Sequence, residues 1–253
     1  MNGNVTMQHQ NGIATITFYH PQSNSMPGVL LRQLADVITD AGNNDAIKVI
    51  VLQSSGDKSF CAGASFDELI SIENLEQGKY FFSGFASVIN AMRKAPKFII
   101  ARIQGKAVGG GVGIAAAADY TVATIAAQVK LSELAVGIGP FVVGPAVERK
   151  LGTAAFSQLA INATAWQSAE WAHQHGLYSH IYNDAAAMDE AIASLTQTLA
   201  ASNPEAMMML KQVFWQGTQH WDQLLLERAQ MSGTLVLSNF TRNAIQAFKK
   251  GVR

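Results

Sequence analysis

Two glycine- and alanine-rich turns are the places where this chain could do chemistry: Phe60-Cys61-Ala62-Gly63-Ala64-Ser65 and Gly109-Gly110-Gly111-Val112-Gly113. Each follows an apolar run with strand character and precedes a stretch with helical character. At such a junction the first N–H groups of the helix have no partner inside it, and small side chains leave them open to an oxyanion or a phosphate. Small residues also let a helix pack tightly on a strand. One such turn therefore decides nothing, whereas two in adjacent crossovers point to a site.

Other chemistries drop out on inspection. There is no Gly-x-x-x-x-Gly-Lys-Ser/Thr, no Gly-x-Ser-x-Gly and no His-Glu-x-x-His, and the glycines at 109, 110, 111 and 113 do not space as Gly-x-Gly-x-x-Gly. His173 and His175, two apart on a predicted helix, point to different faces and read as surface rather than as a metal pair. Cys61 has no basic neighbour and reads as a small buried filler. Asp67 and Glu68 fall on the first turn of the helix after Ala64, where acids suit the helix dipole; catalysis is the alternative role. Asp119 reads as structural.

The elements that must position these turns follow from periodicity. Residues 12–18 form a β-branched run bounded by Asn11-Gly12 and His20-Pro21, which predicts a strand that opens the sheet. After Pro27-Gly28, Leu30, Leu31, Leu34, Val37, Ile38 and Ala41 share one helix face. Buried-strand patterns recur at 48–53, 98–103, 120–123 and 129–131, with a helix carrying Phe81, Phe82, Phe85, Val88, Ile89 and Met92 between the first two. Alternating strands and helices imply right-handed crossovers and a largely parallel α/β sheet. From about Phe141 the strand signal fades, and helices are expected at 153–163, 168–175, 185–201, 204–215 and 220–231. No linker or repeat divides the chain, so one domain with a helical tail is expected.

The 253 residues carry 18 Lys+Arg against 18 Asp+Glu, so there is no electrostatic footprint for nucleic acid or an anionic membrane. Only 14% are charged while 49% are hydrophobic, which predicts a self-associating surface. No apolar run reaches the roughly 18 residues of a spanning helix. A single cysteine and an amino terminus without basic and apolar signal-peptide segments lead to the expectation of a reducing cytoplasm.

Several motifs, in order and at matching spacing, resemble the crotonase superfamily, the enoyl-CoA hydratases and isomerases. They are Phe60-Cys61-Ala62-Gly63-Ala64, Gln104-Gly105-Lys106-Ala107-Val108-Gly109-Gly110-Gly111, Glu133 with Gly137-Ile138-Gly139-Pro140, the Asn24-Ser25-Met26 turn, Ala118-Asp119, and Ser168-Ala169-Glu170-Trp171-Ala172 with Gly176-Leu177. The match spans about residues 5–250. The resemblance implies a spiral of ββα units over residues 1–200, with a helical trimerisation segment over 201–253. It also implies a coenzyme A thioester as substrate, no separate cofactor, and a trimer or hexamer. It further implies that the N–H groups of Ala64 and Gly110 polarise the thioester carbonyl. Asn24, Ser25, Ala62, Ser65, Phe66, Gly109, Gly113 and Phe141 are then expected around the substrate. Lys249 is either a cation suited to a helix C-terminus or a partner for a CoA phosphate.

The proton-transfer residues depart from the hydratase pattern. The family's hydratases place one Glu two residues after the third glycine and a second twenty residues later. Here those positions hold Gly113 and Glu133. One carboxylate is ill suited to orienting water and also delivering a proton, but it suffices to remove a proton at one carbon and return it at another. Together with the bulky Phe141, this leans toward a double-bond isomerase. A hydratase with a substitute partner, a decarboxylase or C–C lyase, and a non-catalytic CoA-binding subunit remain alternatives.

Overall fold

In the computed structural model residues 3–249 are described, Phe248 and Lys249 for their backbone alone. The chain begins with an antiparallel hairpin of β1 (Asn4–Gln10) and β2 (Ile13–Tyr19). Ala14, Ile16 and Phe18 of β2 are buried, giving the alternation that predicts it. β1 is exposed at nearly every position and lies at the sheet edge, so the expected opening strand is in fact the second. The helix α1 (Gly28–Asn43) buries Leu30, Leu31, Leu34, Ile38 and Ala41 on one face, as expected.

Three turns of a spiral follow, each giving one strand to a large sheet, one to a small sheet, and then helix. The first comprises β3 (Val49–Ser54), β4 (Ser59–Cys61), α2 (Phe66–Ser71) and α3 (Leu75–Lys94). The second comprises β5 (Phe98–Ile103), β6 (Lys106–Val108) and α4 (Gly110–Ala117). The third comprises β7 (Tyr120–Thr124), β8 (Val129–Lys130), a 3-10 turn at Leu134–Val136, and α5 (Gly144–Ile161). After α6 (Ala169–Gln174), a short β9 (His180–Tyr182) completes the large sheet in the order β1-β2-β3-β5-β7-β9, parallel beyond the hairpin. The small sheet, β4-β6-β8, is also parallel. Both glycine-rich turns therefore leave the small sheet, from strands of three residues that periodicity cannot reveal. β9 is likewise a strand within the region expected to be helical.

The helical second half is α5, α6, α7 (Ala185–Ala200), α8 (Pro204–Phe214), α9 (Trp221–Leu235) and α10 (Asn239–Lys249). Gly152, at φ 74°, interrupts α5, so the helix expected at 153–163 is only its second half. Met188 and Ile192 of α7 pack on Val49, Val51, Ile100 and Val122, covering the face of the large sheet away from the main core. That double coverage explains why β3 and β5 open with apolar runs of four residues, Val49–Leu52 and Phe98–Ala101, rather than alternating. Residues beyond 200 close back on the core: Lys211 of α8 pairs with Asp119, α9 lies against α3, and α10 lies against the 3-10 turn and α2. No described helix is long and apolar enough to cross a membrane.

Candidate active site

The first glycine-rich turn is held from one side by the Ser23–Met26 segment. The Ala62 N–H donates to the Ser23 carbonyl (3.1 Å), Met26 N–H to the Gly63 carbonyl (2.8 Å), and Ser65 N–H to the Met26 carbonyl (3.3 Å). Met26 and Ala64 thus form a parallel bridge whose bonds use the residues on either side of Ala64. That pattern leaves the Ala64 N–H itself pointing away, free for a ligand. Gly63 takes φ 86°, and a methyl group on it would lie 2.8 Å from the Val108 carbonyl and 3.6 Å from the Gly110 nitrogen. Only glycine allows the two turns to come so close.

Asn24 and Ser25, expected beside the substrate, serve this brace. Ser23 and Asn24 both have positive φ (53° and 56°), an uncommon conformation outside glycine. The Asn24 amide fixes it, donating to the Ser55 carbonyl (2.8 Å) and the Ser59 carbonyl (2.9 Å) and accepting from His20 N–H (3.0 Å). The Ser25 hydroxyl bonds His20 Nδ1 at 3.0 Å.

The second turn delivers the N-terminus of α4. Gly109 N–H is spent on the Lys130 carbonyl (2.9 Å), whereas Gly110 opens the helix and its N–H is one of the orphan donors there. Gly109, at φ 53°, lies under the Glu133 carboxylate, so closely that a methyl group would stand 2.9 Å from Oε1. Glu133 begins the 3-10 turn, and its Oε2 is shut from solvent with no hydrogen-bond partner. Burial pushes its carboxyl up to about 7, against the smaller opposing pull of its own backbone N–H.

These groups share one pocket with about 560 Å³ of empty space, part of it open to solvent. It brings together Ala62, Ala64, Phe66, Gly109, Gly110, Glu133 and Phe141 from the expected set. Asn24, Ser25, Ser65 and Gly113 lie outside its lining, and the Lys249 side chain lies outside the described residues. Ser65 instead caps α2, accepting from Glu68 N–H. Gly113 faces α5: a methyl group on it would meet Val143 Cβ at 2.5 Å. The space a second carboxylate would need is therefore filled by Val143. Sequence reasoning did not place Phe85, Val143 or Ser232 at the site: Phe85 read only as a helix-face residue, though it packs on Gly110, Val143 covers Gly113, and Ser232 comes from the distant α9.

The remaining candidates are occupied elsewhere. Asp119 accepts from Lys211 Nζ (2.8 Å), Ile99 N–H (2.8 Å) and Trp215 Nε1 (2.8 Å), the structural role expected of it. Glu68 caps α1 by accepting Gly28 N–H at 2.6 Å, and Asp67 accepts from Gln22 at 2.7 Å. The Cys61 thiol is buried and pushed up to about 12, unsuited to nucleophilic attack. His173 and His175 bond carbonyls of their own segment, those of Tyr178 and Trp171. Among the described residues no group of His, Cys, Asp and Glu could hold a metal.

The family model for enoyl-CoA hydratase/isomerase matches residues 8–251. The chain belongs to that family. Similar curated proteins include a short-chain-enoyl-CoA hydratase of Clostridium acetobutylicum, 26% identical over 97% of this chain and 94% of the relative. A mitochondrial methylglutaconyl-CoA hydratase of Rattus norvegicus is 30% identical over 78% of this chain and 63% of the relative. Among solved structures, an enoyl-CoA hydratase from Bacillus halodurans matches with a TM-score of 0.88 at 21% identity, covering 96% of this chain and 99% of that one. The spiral of mostly parallel strands and helices is thus the family's fold.

Proposed function

We propose that this family member is an enoyl-CoA double-bond isomerase in which Glu133 alone moves the proton. Its thioester carbonyl oxygen would accept hydrogen bonds from the Ala64 and Gly110 N–H groups, each such donor being worth roughly 3–4 kcal/mol to the transition state. The Glu133 carboxylate takes a proton from carbon 2 of a 3-enoyl thioester. The electron pair spreads over the dienolate, its charge resting largely on the held oxygen. The resulting carboxylic acid then returns the proton at carbon 4, leaving the double bond between carbons 2 and 3. A carboxyl near 7 suits both halves of this shuttle.

The observation that carries the reading is Val143 against Gly113, which leaves Glu133 as the one titratable side chain of the pocket lining. The two curated relatives above are named hydratases, so hydration is the competing outcome. The test is incubation with 2-enoyl- and 3-enoyl-CoA in deuterated buffer, read by mass spectrometry. Isomerisation leaves the mass without added water and shifts the double bond. A 3-hydroxyacyl-CoA product would overturn the reading.

Self-association belongs to the same proposal. Met209, Leu210, Val213 and Phe214 of α8 are all exposed, an apolar stripe suited to a subunit contact. A trimer or hexamer is expected by sedimentation, and a monomer at micromolar concentration would count against it.

A further inference from the structure

Ser232 adds a polar group to an otherwise largely apolar pocket wall, and it comes from the opposite end of the chain. It is 1% exposed and lines the same pocket as Glu133. Its hydroxyl takes part in no hydrogen bond among the described residues. Other buried hydroxyls do: Thr196 of α7 returns to the Ile192 carbonyl at 2.8 Å, and Thr218, in the loop between α8 and α9, returns to the Trp215 carbonyl at 2.6 Å. Unlike Glu133 Oε2, the Ser232 oxygen is not sealed off but belongs to the pocket lining, where alanine would be a better helix former with nothing to satisfy. Packing alone therefore does not account for a serine.

The helix crossing that brings it in is equally specific. Gly78 of α3 and Gly233 of α9 lie back to back, so that a methyl group on Gly78 would stand 2.8 Å from Gly233 Cα. Glycine weakens a helix interior, and two of them at one crossing draw α9 against α3 beside Ser232. On α3, Gly78, Phe82 and Phe85 share a face at helical spacing, and about 1.5 Å rise per residue separates the first from the last by about 10 Å. Phe85 packs on Gly110 and Gly78 packs on Gly233, with Phe82 between them in the pocket wall. Ser232, next to Gly233, thus comes in at the Gly78 end of that face, about two helical turns from the Phe85 that packs on Gly110.

We infer that Ser232 hydrogen-bonds an oxygen carried far along the acyl chain, making the preferred substrates acyl thioesters with a distal hydroxyl or keto group. The inference rests on the acyl-CoA reading above, with the thioester carbonyl at Gly110 and the chain running past Phe85 and Phe82. A pocket built to pair a substrate hydroxyl discriminates against the analogue that lacks it, since the buried group is then left unpaired.

The test measures binding of saturated acyl-CoA thioesters of equal chain length, plain or with a hydroxyl moved along the distal carbons, by titration calorimetry. The wild-type protein is expected to favour one hydroxylated isomer over the plain chain by about tenfold or more. Ser232→Ala should erase that preference while changing plain-chain affinity less than twofold, and Ser232→Thr should retain part of it. Equal affinities in the wild type, or an equal loss on both ligands in Ser232→Ala, would overturn the inference. Because binding is read without turnover, a protein that shows the preference but isomerises nothing refutes the reaction and leaves Ser232's role standing. Failure to bind any of these thioesters overturns both.

Discussion

Glu133 and Asp119 are both carboxylates withdrawn from water, and the protein treats them in opposite ways. Around Asp119 every demand is met by an ammonium group, an indole N–H and a backbone N–H. Glu133 has an oxygen with no partner at all, and its carboxyl rises to about 7. A paired buried acid ties α8 to the sheet; an unpaired one holds a proton it is ready to exchange. The two acids differ in their partners more than in their burial.

Exchanging each carboxyl for its amide should break the comparison in different observables. Glu133→Gln is expected to lower turnover by roughly a thousandfold or more while thioester binding changes only a few-fold, as when a base acting on the transition state is lost. Retention of a tenth of the activity would remove Glu133 from its role. Asp119→Asn strands the Lys211 ammonium in the interior and should cost about 3–5 kcal/mol in urea unfolding. Adding Lys211→Met to that variant should recover part of the loss, since the ammonium stranded by the first substitution is then removed.

The pH dependence sharpens the same contrast. The kcat/KM of the wild type should rise through pH about 7 as Glu133 ionises and then level off. Stability should run the other way. Between the ordinary carboxyl range and about 7, the folded state binds a proton that the unfolded chain has released, so Glu133's contribution is fullest at low pH and is lost as pH rises through 7. Glu133→Gln should abolish that slope in denaturation curves, whereas Asp119→Asn should leave it. The smallest effect concerns the missing second acid: Gly113→Glu alone should cost about 1–3 kcal/mol by crowding Val143, without new chemistry. Only when paired with Val143→Ala is a trace of 3-hydroxyacyl-CoA expected by mass spectrometry.

What could be read beforehand depended on how far each feature is local. The helix face of Leu30, Leu34 and Ile38 and the apolar runs of β3 and β5 announce themselves, because one element's burial is written in its own spacing. β4 and β6 have three residues each and owe their existence to pairing across the small sheet. β1 is hard to read because it is an edge strand exposed at nearly every position, with Val5 alone packed on the core. Of the pocket lining, Ala64 and Gly110 were reached through the family resemblance and Glu133 through its register twenty residues after Gly113. The carboxyl's isolation, the Val143 side chain over Gly113 and the Ser232 hydroxyl were not, because each arises from segments far apart in the chain.

The crossing of Gly78 and Gly233 also sets a timetable. Synthesis runs from the amino end, so the spiral and both glycine-rich turns emerge before the wall contributed by α9 does. Until then the side of the pocket beside Phe82 has no cover, and a nascent or truncated chain presents apolar surface where the finished chain has a pocket wall. Competence thus waits for nearly the whole chain, and fragments ending before α9 are candidates for capture by chaperones rather than for partial activity.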